Sequence, residues 1–444
     1  MSPDALFVIW RFGVATTALY LVALAIMASR PLRSSGHPTR ALRYVMMVPA
    51  LNEELVLDAT LRCLCELAPA RTTVLVIDDG SDDDTAKIAE GFADRGVHLV
   101  HRAAPNARQG KGAALNAGYQ HLSGLDLGDR ADVVIGVVDA DGRLGPGTLE
   151  HIDAALADPS IGGVQAAVRI ANRHTLLARF QDFEFVGFSY LFQAARHRLG
   201  SVGLGGNGQF TRLDALATLG PQPWTDCLAE DLDLGLRLTI AGWRLGFVRD
   251  ATVDQQGVLT VAALVRQRTR WVHGHLQCWA RIPALLRSGL PWRTVADTLV
   301  YLTSPGILAC LSLGIAATTA LGATGLLGSP LSSSLDPADL AVVWLPVGVP
   351  LVVLAVTYHR RASATSWAKA AALAIGLIIY NLVWYLAAWQ ALAAIATRRQ
   401  SWAKTSRIPE PTRVPTFVIE VRAESPTAAM AAACSASADP AEAA

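Results

Sequence analysis

Between Tyr44 and about Val272, short apolar runs alternate with stretches of helical character. The runs are "YVMMVP", "TTVLVID", "VHLVH" and "DVVIGVVDAD"; the helix-like stretches include Glu53 to Ala68 and Asp84 to Arg95. Continuous apolar runs of this length are the mark of strands buried on both faces, and strands separated by helices make a mostly parallel sheet covered on both sides. Ligands of such sheets bind beyond the carboxyl ends of the strands. Three of the runs close on polar side chains at that edge: Asn52 and Glu53 after the first, Asp78 and Asp79 after the second, Asp139 and Asp141 after the fourth.

Of the 444 residues, 52% are hydrophobic and 17% charged, too apolar for an ordinary soluble enzyme. The apolar surplus sits at the two ends. Ala5 to Ala28 is about long enough to span a bilayer, and reads as a membrane helix rather than a cleaved signal peptide. Arg30, Arg33, Arg40 and Arg43 behind it put the downstream chain in the cytoplasm. Beyond the α/β region, Ile282 to Val295, with Arg287, Trp292 and Arg293 among leucines, suits a helix in the membrane interface. Apolar stretches come next at about Ala296 to Gly328, Leu340 to Thr357 and Ala370 to Ala396.

The expected organisation is an N-terminal transmembrane helix (1–29), a cytoplasmic α/β domain (44–280), interfacial and transmembrane helices (281–397), a basic segment (398–422) and an Ala/Ser/Pro-rich disordered tail (423–444). Three later crossings would leave Trp402 outside, whereas Arg398, Arg399, Lys404 and Arg407 favour the inside. Either Ala296 to Gly328 holds two elements broken near Pro305, or one later stretch does not cross. The net charge of +1, with no basic patch interleaved with aromatics, argues against a nucleic-acid partner. The six cysteines show no paired spacing and read as reduced thiols.

Four motifs carry the chemistry. In "VIDDGSDDDT", an apolar strand holds Asp78 and Asp79 at the ligand edge, while Asp82 to Asp84 and Thr85 open the next helix. In "VVDADGRL", the i, i+2 alternation of a strand would put Asp139 and Asp141 on one side, where both reach a hard cation such as Mg²⁺ or Mn²⁺. "NARQGKGAALNAGY" sets Lys111 at a helix start, a place suited to phosphate. "RQRTRW" joins Gln267 and Trp271 to arginines whose forks match phosphate oxygens. A fifth stretch, "CLAEDLDLGLRL", puts Glu230, Asp231 and Asp233 before an alternating leucine run. Its period reads as a strand, its acids as a helix start or as a catalytic base.

Taken in order, PALNEE, DDGS, GKGAALNAG, DAD, ED and QRTRW resemble the inverting family 2 glycosyltransferases, and in particular membrane-embedded members such as cellulose, hyaluronan and poly-N-acetylglucosamine synthases. The resemblance covers about Tyr44 to His275. It implies an α/β nucleotide-diphospho-sugar transferase fold of GT-A type, with a mostly parallel sheet and flanking α-helical transmembrane segments. It also implies roles. Asp78 and Asp79, with Glu53 alongside, would hold the uridine; Lys111 and Arg270 would hold the diphosphate; Asp139 and Asp141 would coordinate Mg²⁺ or Mn²⁺. Gln267, Arg270 and Trp271 match the QxxRW motif, with the tryptophan at the acceptor. The ED segment would be a helix with Asp231 as general base, Glu230 beside it and Asp233 off the catalytic face.

Two segments depart from the pattern: Ala229-Glu230-Asp231 stands where a Thr-Glu-Asp triplet is usual, and "GLGGNGQFTR" stands beside the acceptor. "WAKTSR", Trp402 to Arg407, looks like a segment that closes over the nucleotide. The resulting expectation is a metal-dependent, multi-pass cell-membrane hexosyltransferase with a cytoplasmic catalytic domain. It would take a UDP-sugar and, with inversion, extend a β-linked polysaccharide among membrane lipids. The alternatives are transfer of a single sugar to a lipid acceptor, as in similar glucosyl-diacylglycerol synthases, and a non-catalytic nucleotide-binding membrane module.

Overall fold

The computed structural model describes residues 3–30, 41–323, 337–362, 365–397 and 407–409. The expected tail, 423–444, and most of the basic segment, 398–422, lie outside them. Eight strands form one mixed, mostly parallel sheet: β1 (Arg43–Ala50), β2 (Thr72–Asp78), β3 (Val97–His101), β4 (Val133–Val137), β5 (Arg143–Leu144), β6 (Ile161–Ile170), β7 (Gln209–Arg212) and β8 (Arg244–Gln255). Their order is β3-β2-β1-β4-β7-β6-β8-β5. β1 runs parallel to β2 and β4, and β6 parallel to β8, while β7 is antiparallel to both β4 and β6.

The strands read as unbroken apolar runs because both faces are covered. On one face of β1, Val45 and Met47 pack with Ala114 and Leu115 of the Lys111–His121 helix. On the other, Met46 and Val48 meet Leu57, Leu61 and Leu64 of the Leu57–Glu66 helix. That helix begins four residues later than the sequence suggests, since the Glu53 carbonyl closes a turn onto the amides of Val56 and Leu57. This leaves Glu53 at the sheet edge.

The alternating leucines of "DLDLGLRL" form a helix, Glu230–Ile240, and not a strand. It is buried on two sides: Leu234 and Leu238 enter the main core, while Leu232 and Leu236 pack with Cys278, Leu285 and Leu302. A helix covered on both flanks shows a period close to that of a strand.

Long apolar helices flank the domain. Pro3–Ser29 is tied down where its last carbonyls would be orphaned: Arg198 Nε donates to Met27 O (2.9 Å) and Arg249 Nη2 to Ala28 O (2.6 Å). The chain then has helices at Trp292–Ala323, Pro337–Arg361, Trp367–Tyr380 and Leu382–Ala396. Among the described residues, Trp292–Gly314 and Trp367–Ala396 are long and apolar enough to cross a membrane.

The structure corrects one expectation and excludes one of two open alternatives. Ile282 to Val295 is not one helix, because Ile282–Leu286 ends before Gly289, at φ +69°, and Pro291, after which the long helix starts at Trp292. Nor does the chain break near Pro305. Proline has no amide for the Tyr301 carbonyl, but that carbonyl accepts from Ser304 Oγ (2.7 Å) and His275 Nε2 (2.9 Å), and the helix runs on.

Candidate active site

The edge predicted from the strand endings is where the polar residues gather, although they divide into two groups. Asp78, fully buried, serves its own turn: Oδ1 accepts from the Ser81 amide (3.0 Å) and Oδ2 pairs with His101 Nδ1 (2.7 Å). Asp79 lines a large cavity at this edge and is paired with Arg102. Burial raises its pKa, against the lowering effects of the Arg108 amide and Arg102. Glu53 also lines the cavity, its amide held by Thr85 Oγ1 at 2.7 Å.

β4 ends at Val137, so Asp139 and Asp141 sit on the turn after the strand and not on it, and the i, i+2 alternation does not apply to them. The Asp139 carbonyl accepts from the Gly142 amide at 2.7 Å, closing the turn. The two side chains have separate partners. Asp139 takes the Lys111 ammonium, while Asp141 Oδ2 accepts from the Gln256 amide (2.9 Å) and Arg407 Nη1 (2.7 Å). Asp141 Oδ1 is buried without a partner among the described residues, and burial raises the carboxyl's pKa.

Lys111 is the hub. Its Nζ donates to Asp139 and to the Gly206 carbonyl (2.7 Å) and lies 3.8 Å from Glu230 Oε1. Burial alone would lower its pKa, but Asp139, Glu230 and Asp231 outweigh that and raise it. Glu230 is pushed up to about 7, by burial first and then by the charge of Asp231, against Lys111. Burial raises Asp231 as well. Such perturbed carboxylates, held beside an ammonium in a cleft, have the environment of acid–base groups.

Two glycines let these groups meet. A Cβ at Gly206 would stand 2.9 Å from Lys111 Nζ and 3.1 Å from Asp231 Oδ2; one at Gly274 would stand 2.4 Å from the Ala229 amide nitrogen. Ala229 gives the Glu230–Ile240 helix no side-chain cap. Asp233 turns from the cavity to Arg281 (2.6 Å) and Thr225 Oγ1 (2.9 Å), and is 2% exposed. It is therefore neither a dipole-complementing surface acid nor a member of the cluster.

The arginines of "RQRTRW" do not share one role. The segment lies on the Val261–Gln277 helix, where positions three and four apart share a side. Gln267, Arg270 and Trp271 accordingly line the cavity, and burial lowers the pKa of Arg270. Arg268 points the other way and is fully buried.

The cavity, of about 1300 Å³, joins these residues to the apolar helices. Its lining includes the polar side chains of Glu53, Asp79, Lys111, Asp139, Asp141 and Asp231. It also includes the apolar Phe188, Leu308, Leu311, Leu351 and Leu377, with Tyr385, Trp271 and Arg270. Among the described residues no group of three or more His, Cys, Asp or Glu is placed to hold a metal ion. The orphaned Asp141 Oδ1 and the hard oxygens of Asp139 nevertheless fit a divalent cation that takes its remaining ligands from a diphosphate.

Residues 42–274 match the family model described as glycosyltransferase like family 2. The chain belongs to that family. A β-monoglucosyldiacylglycerol synthase from Synechocystis sp. is 32% identical over 280 residues, 60% of this chain and 56% of that protein. A poly-β-1,6-N-acetyl-D-glucosamine synthase from Staphylococcus aureus is 26% identical over 234 residues, 51% of this chain and 53% of that protein. The chain thus spans less than two thirds of these relatives' length. In fold it is similar to the mannosyltransferase PcManGT from Pyrobaculum calidifontis, solved with GDP-Man and Mn²⁺: TM-score 0.55, 20% identity, covering 80% of this chain and 96% of that one. The GT-A-like fold expected of the sequence is the fold observed.

Some contributors had no clear sequence signal. Asn207 Oδ1 accepts from the Asp139 amide (3.1 Å) while its Nδ2 donates to Gln255 (3.0 Å), so it orders the aspartate turn from the glycine-rich segment. Gln256 holds Asp141 and also exchanges two hydrogen bonds with the Ile408 backbone (2.9 and 3.0 Å). Arg407, the last residue of "WAKTSR" and the one member of it among the described residues, bridges Asp141 and Glu53.

Proposed function

We propose that this family 2 glycosyltransferase transfers a single sugar from a nucleotide sugar, with UDP the expected carrier, to the hydroxyl of a membrane lipid, with inversion. The observation that carries the reading is the single cavity that passes from the carboxylate cluster to aliphatic side chains such as Leu308, Leu351 and Leu377. Aliphatic walls offer no hydrogen bonds to a glycan but suit acyl chains. The likeness to a β-monoglucosyldiacylglycerol synthase supports the same acceptor class over the polysaccharide expected from the sequence. A binding module alone would have no need of Glu230 and Asp231 buried beside Lys111.

In this reading Asp79, with Asp78 ordering the turn beneath it and Glu53 alongside, receives the nucleoside. Lys111 and Arg270 face the diphosphate, and their positive charges stabilise it as it departs. Asp231 takes the proton from the acceptor hydroxyl as that oxygen attacks the anomeric carbon from the face opposite the leaving group. Glu230 sets the local charge, and Trp271 offers a ring face at the acceptor. Asp139 and Asp141 would hold Mg²⁺ or Mn²⁺, which when bound neutralises diphosphate charge. The reading includes a multi-pass membrane protein with its catalytic domain in the cytoplasm; the two apolar segments support membrane association.

The test is product analysis. Purified protein in lipid nanodiscs, with diacylglycerol, a labelled UDP-sugar and Mn²⁺ or Mg²⁺, should give label that partitions into organic solvent and a lipid heavier by one hexose. Label retained in an aqueous polymer, with no glycolipid, overturns the lipid acceptor. GDP-sugar preferred over UDP-sugar overturns the carrier.

A further inference from the structure

Arg268 lies between two residues that line the cavity and does not line it itself. Its guanidinium is fully buried and makes three kinds of contact. Nη2 donates to Glu184 Oε2 at 2.7 Å, a buried ion pair whose carboxylate partner also lines the cavity. Nη1 donates to Gln267 Oε1, also at 2.7 Å. The guanidinium carbon stands 3.9 Å from the centroid of the Trp271 ring and 5.3 Å from that of Trp384. One side chain therefore touches both Gln267 and Trp271 from behind.

Glu184 is placed for this by an irregularity. The helix running from Leu176 to Leu199 widens into a π-turn at Glu184–Ser189, a distortion that often accompanies function. The carboxylate is held on both oxygens: besides Arg268 it accepts from Tyr380 Oη (2.5 Å) and Trp384 Nε1 (3.1 Å), which belong to the apolar segment Trp367–Ala396. Phe185, next in the π-turn, meets the Trp271 ring edge-on at 6.3 Å. Burying an ion pair costs more than burying apolar residues of the same volume, so a buried pair is weak evidence of stability and has to be explained by what it fixes.

What it fixes is orientation. Accepting from Arg268 turns Gln267 Oε1 inward, so the amide's N–H donors are what the side chain can present to the cavity. A flat guanidinium on one side and Phe185 at the edge hold the Trp271 indole in one plane, and a ring that must receive an acceptor works only in the right plane.

We propose that Arg268 is a positioning residue for the acceptor. Anchored on Glu184, it sets the Trp271 ring plane and the Gln267 amide, and it ties both to the Trp367–Ala396 segment through Tyr380 and Trp384. The inference rests on the proposed function in taking Trp271 as the acceptor's contact.

The experiment separates positioning from charge balance. Arg268→Gln alone leaves Glu184 buried and unpaired, and its loss of folding would say little. Arg268→Gln with Glu184→Gln removes both charges and keeps two hydrogen-bonding amides. In nanodiscs the double variant should melt near the wild-type temperature and keep the wild-type KM for the UDP-sugar. Its kcat/KM for the acceptor should fall about 10- to 100-fold, the scale of a reacting group misplaced by about an ångström. Arg268→Lys, which keeps the charge but loses the flat fork, should show the same acceptor-specific loss.

Full activity in the double variant or in Arg268→Lys overturns the proposal, because the pair would then be charge balance alone. A loss shared equally by the UDP-sugar and acceptor KM overturns it too. If the wild type glycosylates a saccharide and no lipid, the lipid reading falls, and the same variants are judged on the KM for that saccharide.

Discussion

Arg407 Nη1 lies 2.7 Å from Asp141 Oδ2, so a residue near the end of the described chain closes on a carboxylate of the aspartate turn. Its Nε reaches Glu53 at 3.0 Å, and the Gln256–Ile408 hydrogen bonds pin the backbone beside it. The guanidinium thus occupies the approach to the carboxylate that we assign to a divalent cation. Arg407→Ala should tighten Mn²⁺ binding to the nucleotide-free protein by roughly tenfold, about 1.4 kcal/mol, as a competing positive charge is removed. It should also raise the KM for the UDP-sugar, because a phosphate-matching fork is lost. Unchanged Mn²⁺ affinity by calorimetric titration would remove Asp141 from the cation site.

Asp231 and Asp233, two residues apart, should fail in different ways. Asp231→Asn keeps the shape but not the base, and turnover should fall about 100- to 10,000-fold with the fold and UDP-sugar binding intact. Asp233→Asn weakens the buried contacts to Arg281 and Thr225. Unfolding should become easier by about 1–3 kcal/mol, with turnover per folded molecule little changed. Melting curves paired with initial rates decide it, and equal losses of rate in the two variants would be against both assignments.

Glu230 should leave a mark on stability. Burial lifts its pKa from 4.5 to about 7, so between those values the folded protein holds a proton that the unfolded chain does not. The stability this contributes is complete below about 4.5 and is lost as pH rises through about 7. His197 and His275, both lowered by burial to about 4, act with the opposite sign below 6.5. Wild type and Glu230→Gln should therefore be compared at each pH. The variant should gain melting temperature relative to wild type from pH 5 to pH 8, and a difference that stays flat would mean Glu230 is ionised throughout.

Much of this arrangement was legible in the sequence because it depends on local pattern. The apolar runs became β1 to β4, their endings became the ligand edge, and QRTRW put Gln267, Arg270 and Trp271 on one helical face. What the sequence did not reveal depends on partners far along the chain. Asp78 and Asp79 look alike until His101 and Arg102 claim them separately. The three acids of "EDLD" look alike until Arg281 takes Asp233. Arg268 reads as one more phosphate-matching fork until Glu184 claims it, and Pro305 reads as a helix break until His275 and Ser304 satisfy the carbonyl it frees.

Gly206 gives the most selective test of the cluster itself. Its φ needs no glycine, so alanine is allowed by the backbone, and the added Cβ would meet Lys111 Nζ at 2.9 Å and Asp231 Oδ2 at 3.1 Å. Nζ is the end of a flexible chain and can withdraw at little cost in stability, but withdrawing takes it away from Asp139, Glu230 and Asp231. A displacement of about 1 Å at such a group costs on the order of 100-fold in rate. Gly206→Ala should accordingly melt like wild type and lose most of its turnover. Gly274→Ala is the control of opposite kind: its Cβ would stand 2.4 Å from the Ala229 backbone nitrogen, so a helix or a loop must move. That variant should lose melting temperature and turnover together, despite alanine's helix propensity advantage of about 1 kcal/mol. If Gly206→Ala is as active as wild type, Lys111 is not the hub of this site.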